Sequence, residues 1–373
     1  MKSFAEINDK IRSGKAVVLT AEEVTRMAKE LSPAEIARRV DVVTTATFSA
    51  TRSSGVFLNF GESDPPTRPE RLELNGVRAC AGLAVDDTFL GAAEGHPEKV
   101  GYGGAHVIED LVAGKEVTLE AWGKATDDFP REHIRTRVSL ESLNEAYLYN
   151  PRNASNDGEV AVNSSDQIIY TRAGVLLPRS RNAAYGGAGE LSPLVNDPEC
   201  RTIGPGTRVF LGGAVGYVAW NGTRFHDAGG TGEGRSLALV GDLRGMSTAF
   251  LRGVYHERFG VSLFVGVGVP VAVLDEDMAR RVSIGNERVE AVIVDHGNGG
   301  KVLGTTNYAA LQSGEIVING QRVRSAPVAS LAKAREVAAT LKSWIAAGEF
   351  LLTEPTRPMP VAGALRRLEE KVD

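Results

Sequence analysis

The first forty residues alternate between amphipathic stretches and short apolar runs. Ser3 with Glu6, Thr20 with Glu23 and Ser32 with Glu35 each set a hydroxyl three residues ahead of a carboxylate. That spacing is the capping box, in which the two side chains satisfy open backbone N–H groups at a helix start. Pro33 follows Ser32, at a first helical position where its missing N–H costs nothing. Three helices are predicted here. Between them, AVVLT (16–20) and VDVVTT (40–45) are apolar and β-branched, the pattern of strands buried on both faces. Strand, helix and strand in that order predict a parallel α/β unit.

Further along, alternating segments are punctuated by Asn-Gly pairs: LELNGVRAC (72–80), VAWNGTRF (218–225) and IVINGQRV (316–323). Asn-Gly predicts a tight hairpin, because both turn residues take positive φ. KEVTLEAW, IRTRVSL, RVFLGG, SLALVGDL and VEAVIVD read as further strands, and VSLFVGVGVPVAVL (261–274) as buried strand. SLAKAREVAATLKSWIAAG (330–348) reads as an amphipathic helix ended by Gly348. The predicted class is α/β: a mixed sheet with a parallel core and β-hairpin insertions, with N- and C-terminal helices. No repeat of solenoid length and no sharp linker divides the chain, so residues 1–373 are read as a single domain.

Composition narrows the function. A net charge of −5 argues against nucleic acid, which calls for a basic face. The start, MKSFAEINDKIR, carries charges where a signal peptide needs an apolar stretch. The run at 261–274 falls short of the roughly 20 residues that cross a bilayer, so no membrane is expected. Only Cys80 and Cys200 occur, far apart, which fits a reducing, cytoplasmic location and no disulfide scaffold. The histidines, at 96, 106, 133, 226, 256 and 296, form no zinc pattern, and no cofactor or metal is expected. A homo-oligomer, with two-fold symmetry the commonest form, is expected on general grounds.

Several polar loops carry candidate chemistry. TTATFSATRSSGVFLNFGESDPP (44–66) packs Thr47, Arg52, Ser53, Ser54 and Asn59 around glycines, with no Cys, His or Lys. A guanidinium grips carboxylates and similar anions in two-pronged fashion, and hydroxyls with nearby N–H groups can stabilise an oxyanion. His106 in GYGGAHVIED (101–110) is placed just before a short helix, either as a proton carrier or as a structural histidine at a helix start. ATDDFPREHIR (125–135) sets Asp127 and Asp128 beside Arg131, as a solvated charge cluster or a carboxylate pair near a basic anchor. NPRNASN (150–156), with Arg152 and Asn153, and ELSPLVNDP (190–198), with Glu190, suit a small polar ligand. In GPGTRVFLGGAVGYVAWNGTRF (204–225), Arg208, Gly212 and Gly213 read two ways: glycines that let N–H groups meet an anion, or hairpin turns.

These same segments, with LYNPRNA, GELSPLVNDPECRTIGPGTRVFLGG and LKSWIAAGEFLLTEP, resemble the homocysteine-biosynthesis (HcyBio) family over nearly the whole chain. The resemblance implies L-aspartate semialdehyde sulfurtransferase chemistry. Sulfur is carried as a persulfide on a protein cysteine and delivered to the aldehyde, and a small ferredoxin-like partner supplies electrons. It also implies that many relatives carry paired CBS domains after this core; none is expected within 1–373. The family's two cysteines lie in stretches like TFxxxCSSG and DCYP. Here Arg52 precedes Ser53-Ser54-Gly55, and Asp128 stands before Phe129-Pro130, so both carriers are expected to be replaced.

The resemblance thus implies a group-transfer enzyme that adds sulfur, or another nucleophile, to a small amino-acid aldehyde. Arg52, Ser53, Ser54, Asp128 and His106 are its expected catalytic residues. Thr47, Asn59, Arg131, Arg152, Asn153, Glu190, Arg208, Gly212 and Gly213 are its expected substrate contacts, and a sulfur-carrier or ferredoxin-like protein its partner. A salt bridge between Arg52 and Asp128 is expected. The alternatives are a non-catalytic paralogue that binds a metabolite or partner, and a different carbonyl-directed reaction in specialised metabolism.

Overall fold

A computed structural model describes residues 1–155, 158–223 and 235–359; His226 and the ends of NPRNASN and VAWNGTRF lie outside them. The chain begins α1 (Phe4–Arg12), β1 (Val18–Thr20), α2 (Ala21–Met27), α3 (Pro33–Arg39) and β2 (Val42–Thr51). All three predicted capping boxes form. The predicted strand–helix–strand unit is also present, with Val18 opposite Val42 in a parallel pair. Next come β3 (Gly55–Asn59), β4 (Pro69–Leu74), β5 (Val77–Ala79), β6 (Asp87–Gly91), α4 (Gly104–Val112), β7 (Val117–Gly123), β8 (His133–Val138) and β9 (Glu145–Asn153). After β10 (Glu159–Val162), β11 (Ile169–Thr171), β12 (Gly174–Leu176), β13 (Asn182–Tyr185) and the short α5 (Pro193–Asn196), the chain enters β14 (Arg208–Leu211) and β15 (Ala214–Asn221). β16 (Leu237–Asp242), β17 (Leu251–His256), β18 (Gly260–Ala272) and α6 (Glu276–Arg281) follow. The last elements are β19 (Glu290–Asp295), β20 (Lys301–Asn307), α7 (Tyr308–Gln312), β21 (Glu315–Ile318), β22 (Gln321–Pro327) and α8 (Leu331–Ala346).

Among the described residues the main sheet has ten strands, ordered β1-β2-β18-β14-β15-β16-β9-β3-β6, with β17 also on β18. A second sheet runs β20-β19-β10-β13-β22-β21. The fold is α/β with mixed sheets. Its parallel pairs are local: β1 with β2, β10 with β19 and β13 with β22. The rest of the main sheet is antiparallel; tight turns join β14 to β15 and β17 to β18, while pairs such as β2 with β18 and β16 with β9 bring together strands far apart in sequence.

The spine is the antiparallel pair of β18 and β2, from Leu263 opposite Thr51 to Ala272 opposite Val42. Val265, Val267 and Val269 are fully buried. The glycines between them serve the other face, where a Cβ on Gly266 or Gly268 would stand 2.9 or 3.1 Å from Val337 of α8. The GVGV pattern is therefore a seat for a helix. Ser330 caps the start of α8, its side chain accepting from Lys333 N–H, and Gly348 beyond the helix takes φ +78, as its position at the helix end predicts.

Two of the three predicted Asn-Gly hairpins are present. Asn75-Gly76 joins β4 to β5 and Asn319-Gly320 joins β21 to β22, all four residues at positive φ. The third differs. β15 runs on through Asn221, opposite Leu237, and Gly222 donates its N–H to Ser236 O. A Cβ on Gly222 would meet the Ser236 side chain, so this glycine serves close approach. The turn in that region is Gly212-Gly213, with φ +61 and +102, between the paired Leu211 and Ala214. Their predicted ambiguity resolves to a hairpin turn.

Candidate active site

The main sheet curls. β2 and β9 are separated in its order by β18, β14, β15 and β16, yet Thr47 Oγ1 of β2 donates to Asn153 Oδ1 of β9 at 3.4 Å. The three residues Arg52, Ser53 and Ser54 span the gap from β2 to β3, which pairs with β9. The concave face so formed is lined with small polar groups. Thr47, Thr51, Ser54, Asn150 and Asn153 are all buried there. Thr51 Oγ1 lies 3.1 Å from Ser53 Oγ and 3.5 Å from Arg152 O, and Ser54 Oγ donates toward Thr51 Oγ1 at 3.5 Å.

At the mouth of this cluster Arg52 is exposed. Its guanidinium lies over the Phe259 ring, 4.6 Å from the centroid, and donates to Phe259 O. The turn from β17 to β18 thus holds Arg52, with Gly260 at φ +103 giving it room. His256, at the end of β17, faces Phe259 and Phe264. Burial first, and then the charge of Arg52, hold its pKa below the usual 6.5. Nothing in the sequence around His256 singles it out. From a separate two-stranded sheet, Tyr170 on β11 lies under Arg258 at 4.9 Å, so the β11–β12 hairpin reaches this same turn.

The other expected residues are dispersed. His106 is inside the first turn of α4 rather than before it. Its ring stacks on Tyr102 at 5.5 Å, its Nδ1 is buried without a partner, and burial lowers its pKa. Asn59 bonds Asp86, Asp87 and Asn144 and so ties loops together at the far end of β3. Arg152 donates to Thr223 O at 2.7 Å, beside the cluster. Glu190 accepts from Asn286 N, with a carboxyl pushed up by burial. Arg208 lies over Phe350. Gly212 and Gly213 are in the hairpin turn described above.

The salt bridge expected between Arg52 and Asp128 does not form. The loop carrying Asp128 is fastened by Arg131 to Asp64 O and Pro66 O, in the chain that follows β3. Arg52 precedes β3, and five strand residues separate the two ends by more than about 13 Å at roughly 3.3 Å per residue. The Asp128 carboxylate is exposed. Of the two cysteines, Cys80 is exposed and pairs its backbone with Phe89, while Cys200 is buried and its thiol is pushed up by burial. Neither is among the residues that bond within the hydroxyl and amide cluster. Among the described residues no group of three His, Cys, Asp or Glu is placed to hold a metal ion, and no helix is long and apolar enough to cross a membrane.

Comparison with known proteins adds what geometry leaves open. The chain is 46% identical to an L-aspartate semialdehyde sulfurtransferase of Methanocaldococcus jannaschii, over 95% of this chain and 72% of that protein. It is 42% identical to the enzyme of the same name from Methanosarcina acetivorans, over 99% of this chain and 74% of the relative. An uncharacterized protein of Methanothermobacter thermautotrophicus is 27% identical over 84% of the chain. No solved structure matches. The family described as homocysteine biosynthesis enzyme, sulfur-incorporation matches residues 16–352, and the chain belongs to that family.

Proposed function

We propose that this protein transfers sulfur to the aldehyde of L-aspartate semialdehyde, without a persulfide on its own active-site loop. The single observation that carries the reading is the match to two sulfurtransferases over more than nine-tenths of the chain. The curled sheet supports it with a buried set of hydroxyls and amides under an exposed guanidinium. That set suits a small molecule with an anionic end and a neutral polar end.

The same set holds no thiol. Hydrogen sulfide, or sulfur released by a carrier protein, is then the attacking group. Hydrogen sulfide adds across the carbonyl to give a geminal hydroxythiol, loss of water gives a thioaldehyde, and two electrons with two protons give the thiol of homocysteine. A ferredoxin-type partner is the proposed electron donor. Arg52 orients the substrate carboxylate or the incoming anion, and Ser53 with Ser54 is among the donors that meet the charge developing on oxygen. His256 joins the expected residues as a neutral imidazole able to take up a proton beside Arg52. His106, stacked on Tyr102, is assigned no step, and Asp128 is not placed to share a pocket with Arg52.

The test supplies purified protein with aspartate semialdehyde, sulfide and a chemical reductant, and reads product by mass spectrometry. Homocysteine is expected from the wild type and from Cys80→Ala/Cys200→Ala. Arg52→Ala is expected to lose at least about tenfold in kcat/KM, as the loss of one charge-assisted contact implies. Product lost only in the cysteine-free variant would place the sulfur on Cys80 or Cys200. No product from any form would favour a binding paralogue, a reading to which the absence of a thiol in the loop at 44–66 also points.

A further inference from the structure

β9 carries an irregularity that the reading above does not use. Leu239 of β16 lies opposite Asn150 and Leu237 opposite Asn153. Three steps on β9 thus face two on β16, and the extra residue is a bulge. Pro151, which has no N–H to give to a ladder, fits such a place. Three steps along a regular strand would put Asn150 and Asn153 on opposite faces. The bulge returns both to one face, and both are buried, at 0% and 4% exposure. Re-aiming a side chain is what bulges beside active sites do.

The two amides are then left unpaired. Asn153 Oδ1 accepts from Ala154 N and Thr47 Oγ1. Asn153 Nδ2, Asn150 Nδ2 and Asn150 Oδ1 have no partner among the described residues. A buried polar atom without a partner costs roughly 1–3 kcal/mol, and three in one place mark a ligand seat. The unpaired set is uncharged, and it offers two donor groups and one acceptor. A carboxylate would be stripped of water against neutral amides there, whereas a carbonyl loses far less on burial. The charged end of an amino-acid aldehyde therefore belongs outward, at exposed Arg52.

We propose that the Asn150 and Asn153 amides are the seat of the substrate's aldehyde oxygen, with its carboxylate directed toward Arg52; the proposal rests on the sulfur-transfer reading for the identity of that substrate. As the sulfur of hydrogen sulfide bonds to the aldehyde carbon, the C=O π pair moves onto oxygen. The two Nδ2 groups donate to the charge that builds there. A proton from the attacking hydrogen sulfide then completes the hydroxyl, whose O–H finds its acceptor in Asn150 Oδ1.

Asn150→Leu keeps the volume and removes every unpaired atom at that position. It is expected to fold with an unchanged or raised melting temperature, and to lower kcat about 10²-fold, the usual effect of deleting one oxyanion donor, with little change in KM. Calorimetry gives an arm that needs no turnover. Wild type is expected to bind L-homoserine about tenfold tighter than L-2-aminobutyrate, which lacks the terminal hydroxyl, one hydrogen bond being about 1.4 kcal/mol at that ratio. Asn150→Leu should bind the two equally, and Arg52→Ala should weaken both alike. Discrimination through Asn150 in a protein that makes no homocysteine would sink the sulfur-transfer reading and leave the seat standing. Turnover unchanged in Asn150→Leu would do the reverse. Equal binding of both ligands by wild type, or a melting temperature several degrees lower in the variant with discrimination intact, would overturn the seat and leave the amides to water or to structure.

Discussion

His256 and His106 are both half-buried, and burial lowers the pKa of each. For His106, Glu109 and Asp110 oppose that effect; for His256, Arg52 adds to it. The consequence for stability has a definite sign. Each histidine titrates near 6.5 when unfolded and lower when folded, so the unfolded chain binds more protons in the window between. Stability is then full above 6.5 and falls as the pH drops through the folded values. Denaturation midpoints at about pH 8 and about pH 5.5 should show that loss, and His256→Asn should reduce it. Arg52→Gln, followed by NMR titration of the ring, should bring the His256 pKa back part of the way toward 6.5. No movement would mean that the guanidinium charge does not reach the imidazole, and would weaken its role as a proton carrier beside Arg52.

Elements with local signals were legible in the sequence. A capping box, an Asn-Gly turn or a run of valines is decided by neighbours a few residues away, and the three capping boxes and the hairpins at 75–76 and 319–320 follow the sequence. What has no local signal is which strands meet. Nothing near Thr47 announces that β9, a hundred residues on, will face it, and Asn221-Gly222 was overridden by pairing with β16. The loop at 44–66 stood out by composition, and NPRNASN (150–156) did too, though Arg152 and Asn153 were its expected contacts and Asn150 was not. What could have singled out Asn150 within that stretch was Pro151 after an alternating run, the signature of a bulge. The turns themselves offer a controlled comparison. Gly320 has φ +80 and open space, while Gly212 has φ +61 with Met246 Sδ 2.9 Å from where a Cβ would stand. Gly320→Ala should cost only the backbone strain, about 1–2 kcal/mol. Gly212→Ala should cost more, through displacement of Met246, and equal shifts in urea midpoint would show that the methionine yields freely.

At the scale of the whole molecule, the two larger sheets keep separate apolar cores although the chain passes repeatedly between them. Val162, Ile293, Ile316 and Val323 belong to the core of the second sheet, apart from the cluster built on β2, β18 and α8. The second sheet is entered after β9, left after β13, entered again after α6 and left at Ser330. Ties toward the active-site side include Ser330 N–H, which donates to Phe48 O, and the neighbouring β11–β12 hairpin, whose Tyr170 meets Arg258. A cavity cut into the second core should therefore be felt locally before it is felt globally. Ile293→Ala, at 3% exposure, should cost about 2–5 kcal/mol. Hydrogen exchange should then quicken in 158–185 and 289–327 while Val265 and Val267 of β18 stay protected. Turnover should fall as well, because the Tyr170 hairpin that braces the turn around Arg52 hangs from the weakened sheet. Exchange that quickens equally in both sheets would mean that ties such as those at Phe48 and Arg258 make them one cooperative unit. In that case the Arg52 end of the site is held by the stability of the entire chain.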